Sequence, residues 1–559
     1  MRKCDAFFFF FFRVYLYSNV RILCVSLLNK KGCGIMEKNK KQALILSIVA
    51  VVTLIALVVG ATYAYFKAQG GTGSSTEVKV TTYTTDMLTF TTGNAISLYA
   101  DQSSFGQEKG SLSGETFAKA TLVANNKTNE ATDNYYVYFN IENNTFKYTL
   151  GQDKPELILT VTGPDGNEVT EISGLTHKVV QDRENKSISG FDVTTTNGII
   201  TIANKKTITA TTDATEEQYT LRLIFVNYEG DQTANATSTL SAKVMIQKEM
   251  IPFHETCNDN TLACHTAKLY TGTQGENSIY YHDVSLTNGA ADNSYRYAGA
   301  SDAVNNYVCF GTNTSPCPAD NLYRIIGVFG DKVKLIKSDY ATSTLLGTDG
   351  DYSKMYTATG YSSSNYKGNN LANIVAYSWN MSNQNTWSLS NLNKTNLNKN
   401  FIANIGADWA AKIAETTWKV GGNTWENIGE QPAKTAYQNE IVNSVTTNSQ
   451  DNKTELKAKI GLMYASDYGF AAAPSAWTAN LNAYNESIKS VNWMYMGLTE
   501  WTISRTADNS DYAFNVTNTG YVSCNNAFSA YAVRSVFYLT SSVNYVSGSG
   551  TAADPIVVN

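Results

Sequence analysis

The sequence predicts a multidomain protein in which an apolar N-terminal helix is followed by an all-β sandwich and then by a larger α+β domain. Three observations predict this order: an uncharged apolar run, a long stretch of alternating β-type segments, and a final stretch that mixes hairpin and helical patterns. The 559 residues also exceed the length of one ordinary domain. The predicted segments are an N-terminal extension (1–42), a transmembrane or signal-anchor helix (43–66), a linker (67–75), the sandwich (76–248), a junction (249–268) and the α+β domain (269–559).

The apolar run at 43–61 is the clearest targeting signal in the chain. It contains no charged residue, and as a helix it is long enough to cross the hydrocarbon core of a bilayer. Lys38, Lys40 and Lys41 precede it, and cationic flanks of this kind stay on the cytoplasmic side. We therefore expect one membrane span with the C-terminal side outside the cell; the alternative is a buried core helix.

The residues around this run are compatible with permanent anchoring in the membrane and with cleavage by a signal peptidase. Thr62 and Ala64 are small enough to lie three residues and one residue before a signal-peptidase cut, whereas the run is longer than the usual cleaved h-region of roughly 7–15 residues. The protein is therefore expected to stay anchored, or to be secreted after cleavage behind Ala64. Met36 directly precedes the basic n-region, so we predict that translation begins there, and a start at Met1 is the alternative.

The distribution of charge limits the possible partners. The formal net charge is −5, yet residues 1–42 hold nine of the 43 basic side chains and only two of the 48 acidic ones. The remainder is strongly acidic, so it repels the phosphates of nucleic acids and gains no attraction to anionic lipids. We therefore expect no nucleic-acid partner, and contact with a membrane only through the N-terminal helix.

Five cysteines follow the apolar run. Cys257 and Cys264 form one close pair in sequence, and Cys309 and Cys317 form another, which leaves Cys524 without a neighbour. In an oxidising exterior, close pairs of this kind are expected to bond as disulfides that close short loops. Cross-pairing among the four is left open, and a metal site is a weaker alternative because the spacings do not match zinc knuckles.

The stretch between residues 76 and 248 follows a Gly/Ser-rich tether and is dominated by β-type runs. Short strands at regular spacing, without helical periods between them, predict a β-sandwich or jelly roll. A turn is predicted at 163–167, where Pro and Gly supply the required backbone angles. The clearest predicted strands are at 135–141, 156–162, 219–226 and 240–246.

The heptapeptide G-A-T-Y-A-Y-F at 60–66, followed by a Thr-rich strand and a β-domain, gives the first family resemblance. It resembles the export junction of camelysin and of TasA-type biofilm-matrix-fibre proteins of Gram-positive bacteria. That resemblance implies a jelly-roll-like surface domain and cleavage by a dedicated signal peptidase. This chain differs from simple fibre subunits in that a second, larger domain follows the β-domain.

The stretch from residue 269 to the C-terminus combines strands and helices. Two alternating runs at 321–329 and 332–337 flank a Gly-Asp turn and predict a tight hairpin. An apolar residue recurs every fourth position from 397 to 413, which predicts an amphipathic helix broken at Gly406. Further predictions are Asn/Ser/Gly-rich loops at 341–376, a helix at 433–444, and strands at 513–516 and 533–539.

Three short motifs give a second resemblance over roughly 300–559. The order S-D-Y-G (466–469), E-W-T (500–502) and V-R-S-V-F-Y-L (533–539) resembles a family of bacterial surface domains, itself similar to C-type-lectin-like folds of the formylglycine-generating type. The resemblance implies structural roles for four residues: Glu500, Trp501, Thr502 and Arg534. We expect Glu500 and Arg534 to form a partly buried ion pair, with Trp501 in the core. The copper-binding cysteine pair of those enzymes is missing, since only Cys524 lies in this region.

No catalytic or metal-ligating motif was found. The four histidines lie in no H-E-x-x-H or nucleophile-elbow context, and D-G-D at 349–351 lacks the remaining ligands of a calcium loop. His254 and His265 flank the first cysteine pair, where surface solvation is expected rather than metal binding. We therefore expect no catalytic residue, no metal and no cofactor.

A binding surface is the remaining functional expectation. Trp425, Trp477 and Trp493, with Tyr484 and Tyr495, lie in or near polar stretches, and aromatic faces with polar neighbours suit sugars or peptides. The alternative is that these rings fill the core.

The resulting functional hypothesis is an exported, non-enzymatic bacterial surface protein. A β-sandwich stalk would display a lectin-like domain that binds an extracellular glycan or protein. The first alternative is a matrix or fibre component assembled through the sandwich. An oxygen-dependent enzyme is the weakest hypothesis, because the copper-binding cysteine pair is missing.

Overall fold

The computed structural model describes residues 86–100, 111–124, 130–211, 214–257, 260–446 and 453–559. The predicted helix at 43–66, the linker, Met36, Thr62 and Ala64 lie outside these residues. Within the described ranges, no helix has both the length and the apolar character that a membrane span requires. The described chain is mostly β-sheet, divided among several separate sheets, and its helices are few and short.

The first ten strands belong to the part predicted as a sandwich. They are β1 Met87–Thr92, β2 Ile96–Tyr99, β3 Leu112–Val123, β4 Ala131–Asn144, β5 Leu157–Thr162, β6 His177–Gln181, β7 Ser187–Asp192, β8 Gly198–Ala210, β9 Thr215–Phe225 and β10 Thr239–Gln247. They form one six-stranded sheet in the order β1-β3-β9-β5-β7-β6 and one four-stranded sheet in the order β2-β10-β4-β8. Most of their buried side chains form one hydrophobic cluster, and a smaller cluster lies on β5, β7 and β9. Two sandwich-like sheets therefore fit the predicted all-β character of this part.

The alternation of side chains explains why these strands form. The four strands predicted from sequence correspond to β4, β5, β9 and β10. In β9, Tyr219, Leu221, Leu223 and Phe225 are buried, because successive side chains of a strand point to opposite faces of the sheet. A backbone hydrogen bond of 2.8 Å closes the predicted turn at 163–167.

Seventeen further strands lie in the C-terminal part of the described chain. They are β11 Ile279–Tyr281, β12 Tyr295–Tyr297, β13 Tyr307–Cys309, β14 Leu322–Phe329, β15 Lys332–Lys337, β16 Tyr352–Met355, β17 Val375–Ser378, β18 Thr416–Lys419, β19 Glu455–Ala458, β20 Ile460–Gly461, β21 Glu500–Arg505, β22 Tyr512–Val516, β23 Val522–Asn526, β24 Ala530–Tyr531, β25 Val536–Tyr538, β26 Tyr545–Ser547 and β27 Ile556–Val558. The largest sheet runs β20-β25-β15-β14-β13-β27-β26, with β12 added to β14 and β11 to β12. Three small sheets are β16-β17-β24, β18-β19 and β21-β22-β23.

The predicted hairpin lies at the centre of the largest sheet. β14 and β15 pair antiparallel, with Phe329 opposite Lys332, so that Gly330 and Asp331 form the two-residue turn. Gly330 has a φ of 62°, a left-handed conformation that glycine adopts without a steric penalty.

Within the described ranges, the α-helices all lie beyond residue 250. They are α1 Phe253–Thr256, α2 Leu262–Ala267, α3 Ser343–Leu346, α4 Ile402–Asn404, α5 Ala407–Ala411, α6 Trp425–Ile428, α7 Ala433–Tyr437, α8 Ala465–Ala471 and α9 Glu486–Lys489. Two π-helical segments extend them: Leu392–Phe401 precedes α4, and Gln438–Val442 follows α7. The predicted helix at 397–413, with its apolar residue at every fourth position, is therefore confirmed as helical. Its break falls at Gly406, whose φ is 85°.

Three predicted elements differ from the structure. The strand predicted at 533–539 is regular only in β25, because Arg534 turns into a buried ion pair described below. The stretch predicted as loops at 341–376 includes α3, β16 and the start of β17. Residues of α2, predicted within the junction, pack into the hydrophobic cluster of the C-terminal part.

Two buried cations connect the largest sheet to α8 through one carboxylate. Lys334 of β15 donates to Asp467 Oδ2 at 2.5 Å, and Arg296 of β12 lies 3.5 Å from Asp467 Oδ1. Arg296 also pairs with Asp292 at 2.6 Å. Asp467 in turn accepts the Tyr464 N–H at 3.0 Å, which satisfies a free donor at the start of α8. This Asp467 cluster explains the S-D-Y-G motif as an architectural feature.

Aromatic rings enclose the two cations of the Asp467 cluster. The Lys334 ammonium lies 4.6 Å from the ring centre of Tyr464, and the Arg296 guanidinium lies 4.6 Å from Phe329 and 4.9 Å from Phe470. Ring faces attract cations, and the same rings exclude the water that would otherwise solvate these charges. A charge that loses its partner here therefore stays buried and uncompensated.

Replacing Asp467→Asn is predicted to destabilise the C-terminal part by about 3–5 kcal/mol, because it leaves two buried cations without their shared counterion. All eight tryptophans lie between residues 379 and 501, so intrinsic fluorescence during urea unfolding reports on this part of the chain alone.

The matched control for this experiment is the Glu455→Gln variant. Lys419 and Glu455 form an ion pair across β18 and β19, with side chains 36% and 51% exposed. Its loss should cost less than about 1 kcal/mol, because water screens an exposed pair. Equal unfolding midpoints for the two variants would contradict the assigned role of Asp467.

Candidate functional site

The cysteines pair with their neighbours in sequence. Cys257 bonds to Cys264 with Cα atoms 5.4 Å apart, and Cys309 bonds to Cys317 with Cα atoms 5.8 Å apart. Both pairs fit the predicted loop-closing disulfides, and the alternative of cross-pairing is not observed. Cys524 is half-buried and takes part in no disulfide, and burial raises the pKa of its thiol to about 11.

Glu500 and Arg534 form the ion pair that the second resemblance implies. The Arg534 Nε and Nη2 atoms donate to the two Glu500 oxygens at 2.8 and 2.6 Å, and Nη2 also donates to the Met494 carbonyl at 2.6 Å. The expectation of a partly buried pair is wrong, since both side chains are only 1% exposed. Burial raises the pKa of Glu500, and the guanidinium opposes that rise. A pair sealed in this way has a structural role.

The other two residues of the E-W-T motif are also structural. The Trp501 indole donates to the Tyr377 carbonyl at 2.9 Å, and the Thr502 hydroxyl donates to the Phe514 carbonyl at 3.0 Å. Both side chains are buried. The motif therefore joins three neighbouring segments by satisfying backbone carbonyls inside the domain.

Two of the three tryptophans proposed as ligand contacts lie in the core. Trp477 and Trp493 are each 1% exposed, and their indole N–H groups donate to the carbonyls of Ala472 and Tyr297 at 2.9 Å. The predicted ligand role is wrong for both, because a buried indole that has found a carbonyl partner presents no face to a ligand. The associated Tyr484 and Tyr495 are likewise buried.

Trp425 alone of the three is only half-buried. Its ring stacks on Phe514 at 6.0 Å, and its indole N–H donates to Glu430 at 3.1 Å. It therefore keeps part of its surface available to solvent.

The histidines next to the first disulfide are packed rather than solvated. His254 Nδ1 lies 2.7 Å from the Tyr295 hydroxyl, and the His265 ring stacks on Tyr545 at 3.6 Å. Burial lowers the pKa of both imidazoles. Across the described ranges, no three His, Cys, Asp or Glu side chains converge as a metal site would require.

Glu440 has a strongly altered pKa but no open cavity. Its carboxylate accepts the N–H groups of Ala465 and Ser466 at 2.9 and 3.0 Å, and it also contacts the Ser504 hydroxyl. Burial raises its pKa to about 7, and these hydrogen bonds oppose that rise. Altered pKa values cluster at active sites, yet this carboxyl is enclosed by protein and holds the start of α8 in place.

An open cleft of about 260 Å³ lies at one end of the hairpin strands. We name it the Asp320 cleft. Three segments line it: residues that follow the second disulfide, residues that follow β15, and an Asn-rich segment before β17. The lining residues are Pro318, Ala319, Asp320, Asp339, Tyr340, Thr342, Asn369, Asn370, Asn373 and Ile374.

The central wall of the Asp320 cleft is fixed by Asp339. Its carboxylate accepts the Tyr366 hydroxyl at 2.8 Å and the Asn369 N–H at 3.1 Å, which holds the Asn-rich segment against the end of β15. Burial and the nearby Asp339 raise the pKa of Tyr366. Behind this wall, burial lowers the pKa of Lys337, while Asp320 and Asp339 oppose that shift.

Several polar side chains of the cleft are exposed and make no hydrogen bond within the described structure, so they are accessible to a ligand. Asp320, Asn369, Asn370 and Asn373 are exposed. Among the described residues, the Asp320 carboxylate and the three Asn side-chain amides have no hydrogen-bond partner. The cleft therefore offers one free carboxylate and three free amides beside the apolar side chains of Pro318, Ala319 and Ile374.

The sequence analysis did not identify this cleft. The first and last of its lining residues, Pro318 and Ile374, are more than 50 positions apart in the sequence, and the lining residues include no recognisable motif. The available signal was the concentration of Asn, Ser and Gly at 341–376, which predicts a polar surface loop but not its neighbours. Comparisons with protein-family models, curated proteins and solved structures found no match to this chain.

Glu440 predicts a specific dependence of stability on pH. Its ordinary pKa is 4.5 and its folded pKa is about 7, so its contribution to stability is complete below pH 4.5 and is lost as the pH rises through 7. The Glu440→Gln variant stays neutral and should lack this loss between about pH 5 and 8. The measurement is the melting temperature followed by tryptophan fluorescence at four pH values.

The exposed Glu455→Gln substitution serves as the control, because that side chain is half exposed and removes one acidic group without touching the core. Parallel pH profiles for wild type and Glu440→Gln would contradict the assignment.

Proposed function

We propose that this is an exported, membrane-tethered and non-enzymatic protein of the bacterial surface, and that its Asp320 cleft binds a neutral oligosaccharide. The single observation that carries the proposal is the set of free amides and one free carboxylate gathered in an open cleft. Such groups form hydrogen bonds with the hydroxyls of sugars, and the apolar side chains that line the cleft can contact a sugar ring.

The extracellular location is supported by two independent features. The two disulfides of the described chain are typical of proteins that fold in an oxidising compartment. The apolar run at 43–61 with its basic flank supplies a route of export.

The charge of the cleft favours neutral ligands over anionic ones. Asp320 and Asp339 both line it, and like charges across a binding surface weaken association. The residues outside the N-terminal extension are also strongly acidic. A sugar that carries a carboxylate or phosphate would therefore be excluded more strongly than a neutral one.

The absence of catalysis is part of the proposal. Among the residues that the structure describes, the two carboxyls whose pKa values are raised are Glu440 and Glu500, and both are enclosed by protein and engaged by backbone N–H groups or by Arg534. A general acid or base must reach a substrate within hydrogen-bonding distance. A lectin-like arrangement of the C-terminal part on a β-sandwich stalk is in keeping with the buried roles of the E-W-T motif and Arg534.

A second candidate function is assembly into fibres through the sandwich. β1 is an edge strand of the six-stranded sheet and contains no charged residue. By contrast, the edge strand β8 carries Lys205 and Lys206, with a φ of 53° at Lys205 that disrupts a regular edge. Uncharged edges can accept a further strand, whereas charged and bent edges resist pairing.

The oligosaccharide proposal predicts binding on an array of neutral oligosaccharides of two to six units. The Asp320→Asn and Asn373→Ala variants should each weaken that binding by about tenfold, since the first replaces a charged acceptor with a neutral one and the second removes an amide. Analogues that carry a uronic acid should bind more weakly than their neutral counterparts. The measurement is the array signal followed by calorimetry on the strongest neutral ligand.

Trp425→Ala is the matched control, because Trp425 is partly exposed but is not a cleft residue. Loss of binding in Trp425→Ala with unchanged binding in the two cleft variants would place the ligand at the tryptophan instead. No binding to any neutral oligosaccharide would overturn the proposed ligand class.

The fibre candidate predicts concentration-dependent polymers of the chain that begins at Tyr65. Thr89→Lys, which places a charge in the middle of β1 opposite Thr121, should prevent them. Electron microscopy and sedimentation of both proteins test this, and polymers that form equally well with the variant would exclude β1 as the joining edge.

A further inference from the structure

One rim of the Asp320 cleft begins directly after the second disulfide. Cys309 ends β13 and is buried, whereas Cys317 is partly exposed, and the lining residues Pro318, Ala319 and Asp320 follow it without interruption. The rim therefore lies between two attachments, Cys317 at its start and Asn321, which precedes β14, at its end.

Within the described structure, the segment 311–317 is held by few hydrogen bonds. At its base, the Phe310 N–H donates to the Asn321 carbonyl at 2.9 Å, and the Asn321 side chain donates back at 3.1 Å. Beyond that base, Thr312 and Thr314 bond only to each other, at 2.9 Å. Residues 313–316 are exposed. The disulfide therefore ties the Cys317 end of the rim to the buried sheet, and the bonds between Asn321 and Phe310 tie its other end.

We propose that the Cys309–Cys317 disulfide acts as a redox gate for the Asp320 cleft. In the oxidised protein the bond fixes the rim 318–320, and the cleft binds its ligand. In the reduced protein the rim loses its tie at Cys317 and is held only at Asn321, so that this wall of the cleft is no longer fixed at both ends. This inference rests on the proposed function of the cleft.

The gating reaction is a thiol–disulfide exchange with an external dithiol. A thiolate of the dithiol attacks the Cys317 sulfur, the S–S bond breaks, and Cys309 leaves as a thiolate that takes a proton from water. The second thiol of the reagent, after losing its proton, attacks its own sulfur in the mixed disulfide and releases Cys317 as a thiol. The protein gains two electrons and two protons, and the dithiol becomes a disulfide.

The chain supplies a matched control in its other disulfide. Cys257 and Cys264 enclose a loop of similar length, one of them buried and the other partly exposed. Neither residue lines the cleft. Loss of this bond therefore controls for the general effect of removing a disulfide.

The test compares the full chain in its oxidised form, after dithiothreitol, and as the Cys309→Ser/Cys317→Ser and Cys257→Ser/Cys264→Ser double variants. Hydrogen exchange followed by mass spectrometry reports on residues 311–320 without any ligand. The strongest neutral oligosaccharide from the array is the binding probe.

Reduction and the Cys309/Cys317 variant should both speed exchange in 311–320 by about tenfold or more. Both should weaken binding by about tenfold, because the ligand must then order the rim itself. The Cys257/Cys264 variant should behave as wild type in both measurements. Unchanged protection of β14 shows that the altered proteins are still folded.

Unchanged exchange in 311–320 after loss of the bond would overturn the inference, as would faster exchange with unchanged affinity. An oligosaccharide that fails to bind in either redox state would overturn the proposed function, and the gate with it. The exchange data would then still show whether the rim is released, so the two failures are distinguishable.

Discussion

The carboxylate of Asp467 lies between the cations of Lys334 and Arg296, and the arrangement of the C-terminal part depends on this contact. Lys334 belongs to the central hairpin, Arg296 to a strand at the side of the same sheet, and Asp467 to a helix that packs on it. Because these charges are buried, moving the helix away would leave Lys334 without its carboxylate partner, whereas Arg296 would keep Asp292. The contact between Lys334 and Asp467 therefore favours the observed position of the helix.

The same domain satisfies its irregular backbone with buried polar side chains. Long connections bring carbonyl groups inside that no strand neighbour can pair, and an unpaired buried carbonyl is costly. Arg324 donates to the carbonyl of Val304 at 2.9 Å, and Arg505 donates to that of Val420 at 2.9 Å. Burial lowers the pKa of each guanidinium to about 10. The indoles of Trp379 and Trp501 act in the same way.

Local patterns predicted local structure well and spatial neighbours poorly. The alternation in β9 and the Gly-Asp turn at 330 depend on nearest neighbours, so the sequence alone was sufficient for both. The burial of Trp477 and Trp493 depends on hydrogen bonds to carbonyls of other segments, which the sequence pattern does not reveal. Their polar sequence context therefore wrongly suggested a ligand-binding surface. The Asp320 cleft is beyond such reasoning for the same reason, because its walls come from three segments that only the folded sheet brings together.

In the C-terminal part, the carboxyl with a suitably raised pKa and the carboxyl that solvent can reach are different residues. This difference favours the proposal of binding over one of catalysis. A catalytic carboxyl needs a pKa suited to proton transfer and a path to its substrate. Glu440 has a suitable pKa, but it is enclosed by Ala465, Ser466 and Ser504 and has no path to a substrate. Asp320 has the second, in a cleft where its free neighbours are neutral amides that can accept or donate hydrogen bonds but cannot transfer a proton at ordinary pH. Within the described residues, the carboxyl whose pKa is raised to about 7 is thus enclosed, and the accessible carboxyl of the cleft lies among amides, which is the arrangement on which the proposal of binding rests.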